Sequence, residues 1–290
     1  MYLVVISKQD PASVNIQQQL FKQSSWTEIK EFTFDGNKVY RNQASAIMIT
    51  INQYHLYADD LDQRVKQEFE EHALDFALET IIFASKHKSA SGMKTLTVHP
   101  VGNYHKAEFG GRSEELAVSA PHVMTMAYRL LYEQAKLNSL ENSVSFEATH
   151  HGPYLDTPSF FIEIGSDETE WTKSIAGQTI AETINKLLEI EIETRCSDYP
   201  VAIGIGGGHY APRHSDVARK KRISFGHIIP SYALPGLSER MLVRVVERTP
   251  EAKCVYFHRK ALKKSLYRDL KGWYDGHGYK VVKSDELEDI

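Results

Sequence analysis

The chain has only two cysteines in 290 residues, Cys196 and Cys254, and no C-x-x-C pair. That excludes a disulfide-stapled scaffold, a thiolate metal knuckle and a dithiol redox motif, and makes the reducing cytoplasm the simplest setting. No apolar run approaches the ~18 residues that a membrane span requires. The N-terminal MYLVVISKQDPAS is too short for a signal-peptide core and reads as a first strand, so a soluble protein without a membrane partner is expected. An excess of one charge is missing too. The net charge of −4 excludes the strongly basic balance of a nucleic-acid coat, though not a local basic groove. Neither H-E-x-x-H nor G-x-x-x-x-G-K-[ST] occurs, which disfavours a helix-borne zinc motif and a Walker-type NTPase. Repeats, low-complexity tracts and a Pro/Gly/Ser linker are also absent. The chain therefore reads as one domain over 1–290, with the polar stretch at about 52–78 as an excursion from the core.

What is present is an ordinary globular composition, 42% hydrophobic, with one oddity: thirteen histidines. Runs rich in β-branched and aromatic residues predict strands at about 2–6, 29–34, 45–51, 79–84, 94–99, 144–149, 159–164, 200–205, 253–257 and 279–283. Helical spacing predicts helices over 12–22, 116–136, 176–192, 238–248 and 259–271. The alternation argues a three-layer α/β/α fold around a mixed, mostly parallel sheet.

The histidines follow the strands. KTLTVHPVGN runs into His99, VSFEATHHGPY into His150 and His151, PVAIGIGGGHY into His209, and KCVYFHRK into His258. Ligands of open α/β sheets bind beyond the carboxyl ends of strands, and parallel strands would bring these histidines to one edge. A lone histidine at a strand end is ordinarily a turn or cap residue. Three such strands, each with Gly or Pro close by, point to a joint site of His99, His150 or His151, and His209. His258 is set apart, because HRK equally opens a solvated helix. Glu163 lies inside the strand SFFIEIGS, where an unpaired carboxylate is costly, so it is either a partner for these histidines or a structural hydrogen-bonding group. On a regular strand His150 and His151 point to opposite faces, which leaves open the one that faces the site. Imidazoles suit acid–base work near neutrality, and neutral imidazoles with a carboxylate suit zinc.

AIGIGGGHYAPRH (202–214) has two readings. Gly206, Gly208 and Ala211 fit the G-x-G-x-x-A of a dinucleotide loop after a strand. Against this stand Pro212 where the helix would begin, the late position in the chain, and the lack of an acidic ribose partner about 20 residues on. In the other reading the amides of Gly206, Gly207 and Gly208 converge on an anion or developing oxyanion, with His209 beside them. Downstream, Arg219, Lys220, Lys221 and Arg222 form either a solvated face or a phosphate contact, and Lys86 and Lys88 sit in a second basic loop.

Three stretches, FASKHKSASGMKTLTVHPVGN (83–103), ATHHGPYLDTPSFFIEIGS (148–166) and IGIGGGHYAPRHSD (203–216), resemble the archaeal-type D-aminoacyl-tRNA deacylases, also found in plants. The likeness runs in order along essentially the whole chain. It implies hydrolysis of the ester between a D-amino acid and the terminal adenosine of tRNA, as in D-Tyr-tRNA, in a proofreading and detoxifying role. It further implies a cytoplasmic monomer with no obligate protein partner, a phosphorylase/hydrolase-like core similar to that of peptidyl-tRNA hydrolase, and more than one zinc ion. It assigns no ligands. For such a reaction His99, His150, His151, Glu163 and His209 form the catalytic set. Zinc and its water would lie between His150 and His209, with Glu163 ligating or orienting. His99 would protonate the departing ribose oxygen, Asn103 and His214 would contact substrate, and Lys86, Lys88 and the Arg219 to Arg222 run would meet tRNA phosphates. Two other readings use the same residues: another hydrolase or phosphorylase of that core acting on a nucleoside or peptide, and a tRNA-binding protein without catalysis.

Overall fold

The computed structural model describes residues 1–43, 46–74, 76–90, 92–190 and 198–290. Strands β1 (Tyr2–Ser7), β2 (Trp26–Phe34), β3 (Asn37–Asn42), β4 (Ala46–Ile51), β5 (Thr80–Lys88) and β6 (Thr95–His99) are followed by a two-residue ribbon of β7 (Gly102–Asn103) and β8 (Glu115–Leu116). Next come β9 (Ser143–Phe146) and β10 (Ser159–Ser166), then β11 (Val201–Ile205), β12 (Ser224–Ile229), β13 (Ala252–Phe257) and β14 (Lys280–Val282). The predicted strands sort into two sheets. The larger has eight strands in the order β2-β3-β4-β1-β5-β10-β6-β9, and the smaller is β12-β11-β13-β14. The smaller sheet is all parallel, as is the centre of the larger one, β4-β1-β5-β10. At one side β3 and β2 turn back; at the other, β6 and its parallel neighbour β9 run opposite to β10.

The helices are α1 (Pro11–Gln23), α2 (Leu61–Glu71), α3 (Pro121–Leu137), the single turn α4 (Glu168–Trp171), α5 (Ser174–Leu188), α6 (Pro212–Lys220), α7 (Glu239–Glu247) and α8 (Lys264–Gly276). Alternate side chains of a strand take opposite faces, and here both faces are buried, which is why the central strands read as unbroken apolar runs. Val4, Ile82 and Ile162 pack against Ile16 of α1, Met124 of α3 and Ile180 of α5. Leu3, Phe83 and Phe161 pack on the other face with Leu61, Val65 and Phe69 of α2. The smaller sheet buries Ile203 and Val255 against Met241 of α7 and Tyr274 of α8, while its Ala202, Phe225 and Tyr256 join the first core. Among the described residues no helix is long and apolar enough to cross a membrane.

Three local readings need correction. Between the strands expected at 29–34 and 45–51 lies a further one, β3, joined to β2 by Asp35-Gly36, whose positive φ angles (50° and 70°) are those of a tight turn between twisted strands. Within 52–78, the i, i+4, i+8 stripe Leu61, Val65 and Phe69 makes a helix of what looked merely polar. Pro212 does not oppose a helix. It is the first residue of α6, where a missing N–H leaves no bond unmade.

Residues 146–149 stitch the sheets together. Glu147 N–H donates to Val98 O at 2.9 Å on the large sheet, and Thr149 N–H donates to Ile228 O at 3.0 Å on the small one. Between them Ala148 N–H reaches His209 O at 2.8 Å, and Ala211 N–H reaches Phe146 O at 2.9 Å. The strand-end histidines gather along this seam.

Candidate active site

Immediately after β9, Glu147 is fully buried and faces histidines from three segments. Its carboxylate oxygens lie 3.1 Å from His209 Nε2, 3.3 Å from His87 Nδ1 and 3.5 Å from His150 Nε2. A second buried carboxylate, Glu163 of β10, lies 3.6 Å from both His87 Nδ1 and His99 Nε2. Strand register produces this. Glu163 pairs with Ser85 of β5 and Thr97 of β6, so His87 and His99, each two residues further along its strand, share the Glu163 face. Because β6 is antiparallel to β10, the two histidines flank Glu163 from opposite ends, and the expected row of parallel strand ends is replaced by a convergence. His99 lies flat on Phe161, with ring centroids 5.0 Å apart and planes 6° off parallel.

Backbone carbonyls set the ring orientations. His150 Nδ1–H donates to Ala148 O at 2.8 Å, His151 Nδ1–H to Gly152 O at 2.7 Å and His99 Nδ1–H to Pro100 O at 3.1 Å. Each Nε2 is thereby turned inward. Both histidines of the pair face the centre, His150 towards Glu147 and His151 towards His99, because His151 has left the strand conformation at φ 44°. Burial, then the neighbouring imidazoles, lowers His150 well below the usual histidine value; burial and His99 push His151 down to about 4. Both are neutral donors at physiological pH. Burial would also lower His87 and His99 and raise Glu163, but their mutual attraction outweighs it. The two histidines end up raised, and Glu163 is held well below the usual carboxylate range.

Three overlapping donor sets result: His87, Glu147, His150 and His209; His99, His150 and His151; and His99, Glu147 and Glu163, each within 4.8 Å internally. A tetrahedral ion with bonds of ~2.1 Å needs donors about 3.4 Å apart, which the Glu147 separations straddle. Both oxygens of Glu147, Glu163 Oε2 and His99 Nε2 are buried without a hydrogen-bond partner among the described residues, a costly state that a cation relieves. The residues fit a metal held by nitrogen and oxygen.

His87 and Glu147 were missed in the sequence. Glu147 falls inside the predicted strand 144–149, as Glu163 falls inside SFFIEIGS, so the same signal was there to be used; His87 was hidden between Lys86 and Lys88. The remaining predicted residues lie elsewhere. Gly206 N–H donates to Ile229 O at 2.8 Å and Gly207 N–H to Ser231 Oγ at 3.0 Å, so both amides are committed within the protein; Gly208 is exposed. Asn103 Nδ2 donates to Gly110 O at 3.0 Å and ties a loop down instead of facing a substrate. His214 is fully buried among Phe225 and Tyr256 under Gly204, out of a substrate's reach. His99, with no exposed surface, cannot touch a ribose oxygen. Arg219 and Lys220 pair with Asp216 at 2.8 and 2.7 Å, Lys221 with Asp289 at 2.8 Å, and Arg222 with Glu288 at 3.0 Å and with Asp198. The basic run is thus neutralised by its own helix, Asp198 and the acidic tail, which removes it as a free phosphate contact. Lys86 lies over the Tyr54 and Trp171 rings, and Lys88 is exposed. Cys254 is buried with its thiol pushed up to about 12, hence unreactive; Cys196 lies outside the described residues.

His227 of β12 supports the seam from behind. Its Nε2–H donates to Ala117 O at 3.0 Å, and its Nδ1 accepts from the hydroxyl of Thr149, next to His150, at 3.1 Å. Burial pushes it from 6.5 down to about 4. The unfolded chain takes up this proton first as pH falls, so folded stability drops through that window, by about 2 kcal/mol between pH 7 and pH 5. His227→Gln is expected to flatten the urea-unfolding stability of metal-free protein between those pH values by that amount. An unchanged slope would mean that the buried ring carries a proton.

Comparison with known proteins bears on this geometry directly. The family model described as D-aminoacyl-tRNA deacylase matches residues 74–282. The D-aminoacyl-tRNA deacylase of Thermococcus kodakarensis is 42% identical over 252 residues, covering 87% of this chain and 88% of its own. That of Methanosarcina acetivorans is 34% identical over 290 residues, covering 99% and 93%. Among solved structures, the crystal structure of a conserved protein of unknown function aligns with a TM-score of 0.87 at 31% identity, covering 99% of this chain and 96% of that one. The matched span begins before His87 and ends beyond His258, so both sides of the seam fall inside it, and the chain belongs to the D-aminoacyl-tRNA deacylase family.

Proposed function

We infer that this chain hydrolyses the ester of D-aminoacyl-tRNA, such as D-Tyr-tRNA, releasing the D-amino acid and tRNA, and does so in the cytoplasm as a zinc enzyme. The observation that carries the reading is the buried Glu147 carboxylate ringed by His87, His150 and His209, a donor cluster that opens outward through its most exposed members, His209 and His150 at 34% and 23%. Zinc held by these four residues would supply Lewis-acid polarisation of the ester carbonyl and a more acidic water.

The chain's own groups account for the rest. Gly208, exposed and next to His209, would offer its backbone N–H to the developing oxyanion. His151, held neutral by burial with its Nδ1–H committed to Gly152 O, takes the proton of the attacking water on Nε2. Glu163, behind His99, favours the imidazolium so formed. The same proton passes to the ribose oxygen as its bond to the acyl carbon breaks. His99 acts here as a positioning residue for Glu163 and the His150–His151 pair.

Incubation with D-Tyr-tRNA and L-Tyr-tRNA, with and without a chelator, tests the reading. Selective loss of the D ester is expected, falling at least a hundredfold in metal-free protein and returning with zinc. Equal hydrolysis of both esters, or of neither, overturns the assignment; full activity of metal-free protein removes zinc from it.

A further inference from the structure

Beyond the glycine strip from His209, a cleft of about 630 Å³ opens at the carboxyl ends of β13 and β14. Arg213, His258, Arg259, Lys260 and Lys283 line it, with Asp285 as its lone carboxylate. Arg213 pairs with Asp216 at 3.4 Å, but the cleft differs from the Arg219 to Arg222 run in the respect that matters for a ligand: among the described residues no carboxylate comes within 4.0 Å of the side-chain nitrogens of Arg259, Lys260 or Lys283, Glu286 reaching only the Lys283 backbone N–H at 3.0 Å. Unpaired cations drawn together repel one another, an arrangement that an anion relieves.

The cations are held in place. Arg213 Nε donates to Tyr256 Oη and its Nη2 to Ser284 Oγ, both at 2.9 Å. Arg259 lies 4.5 Å over the Tyr267 ring and donates to Leu262 O at 3.0 Å. The positive field is felt by His258, which burial, Arg213 and Lys260 hold below the usual histidine value. The cleft also adjoins the reaction centre. His258 N–H donates to Ile205 O at 2.7 Å, and its Nδ1 would stand 3.1 Å from a Cβ on Gly207, whose φ of +99° calls for glycine. One residue on, Gly208 leads into His209. The glycine strip is thus a partition with the His/Glu cluster on one side and a basic, aromatic-floored cleft on the other.

We propose that this cleft binds backbone phosphates of the tRNA acceptor end while the ester lies at the His/Glu cluster. The assignment rests on the tRNA-ester reading of the neighbouring site. Arg259 on Tyr267 and the pair Lys260 and Lys283 suit a phosphodiester chain: cations for the charge, and aromatic surface for a base or ribose.

Filter binding of uncharged tRNA tests the cleft without catalysis. The Arg259→Ala/Lys260→Ala/Lys283→Ala protein is expected to bind about tenfold more weakly at low salt, with the slope of log K against log salt shallower by about 2. A charge-matched Lys22→Ala/Lys30→Ala/Lys253→Ala protein, altered on α1, on edge strand β2 and at the far end of β13, is expected to bind within twofold of the unaltered chain. Unchanged affinity and slope in the cleft variant, or no tRNA binding by the unaltered chain, overturns the proposal. Displacement of tRNA by equimolar AMP also overturns it, in favour of a mononucleotide site. A chain that binds tRNA through the cleft yet leaves D-Tyr-tRNA intact removes the hydrolytic reading and upholds the cleft; hydrolysis with an indifferent cleft variant does the reverse.

Discussion

Glu147→Gln is expected to lower kcat/KM for D-Tyr-tRNA at least a hundredfold, and zinc retained in equilibrium dialysis to fall with it. The carboxylate lies within 3.5 Å of His87, His150 and His209 alike, so the amide removes a donor shared by the whole cluster. The same change is expected to leave the metal-free protein at least as stable. Both Glu147 oxygens are buried without hydrogen-bond partners, and replacing such a charge by a neutral isostere relieves its desolvation. Loss of activity with retained folding separates a role in the site from a role in the core. A Glu147→Gln protein with full activity and full zinc would place the chemistry elsewhere.

Gly152→Ala is the second large effect, and it acts through backbone alone. A Cβ there would stand 2.1 Å from Gly111 N, 2.4 Å from Gly110 C and 2.5 Å from Leu56 O. None of these is a flexible side-chain end, so whole loops must shift. Gly152 follows His151 directly and donates its N–H to Phe109 O at 3.0 Å, so the displacement reaches the two histidines. A misplacement of about 1 Å in a catalytic group is worth about a hundredfold in rate. Overpacking of this kind costs about 1–3 kcal/mol of stability. Both effects are expected in Gly152→Ala, read as kcat/KM and as the urea midpoint. Gly272→Ala in α8, whose Cβ meets nothing within 4 Å, is the control, expected to keep its activity and gain about 0.5–1 kcal/mol. Equal behaviour of the two proteins would show that the loop junction yields freely.

Much of the fold was legible because its elements are local. Runs rich in β-branched and aromatic residues located most strands, and the histidines His99, His150, His151 and His209 beyond three of them come together around Glu147 and Glu163. Strand direction was not legible. Nothing in KTLTVH says that it runs against SFFIEIGS, and that reversal lets His99 and His87 close on Glu163 from two ends. The glycine amides were misjudged for the same kind of reason: their acceptors, Ile229 O and Ser231 Oγ, lie at the end of β12, a strand hidden behind the basic run. The run stayed open between a solvated face and a phosphate contact: Asp216 pairs Arg219 and Lys220 from within the same helix, but Glu288, the partner of Arg222, lies 66 positions away in the acidic tail with Asp289, the partner of Lys221, beyond the reach of any local pattern.

The stitch at residues 146–149 has a thermodynamic meaning as well as a geometric one. His87 belongs to the large sheet and His209 to the loop leaving the small one, so an ion gripped by both is a clamp across the two halves of the molecule. Whatever binds the intact cluster and not the separated halves adds RT ln(1 + [L]/Kd) to their cohesion. A bound ion would therefore hold the two sheets together with a strength set by its affinity for the intact cluster and its free concentration.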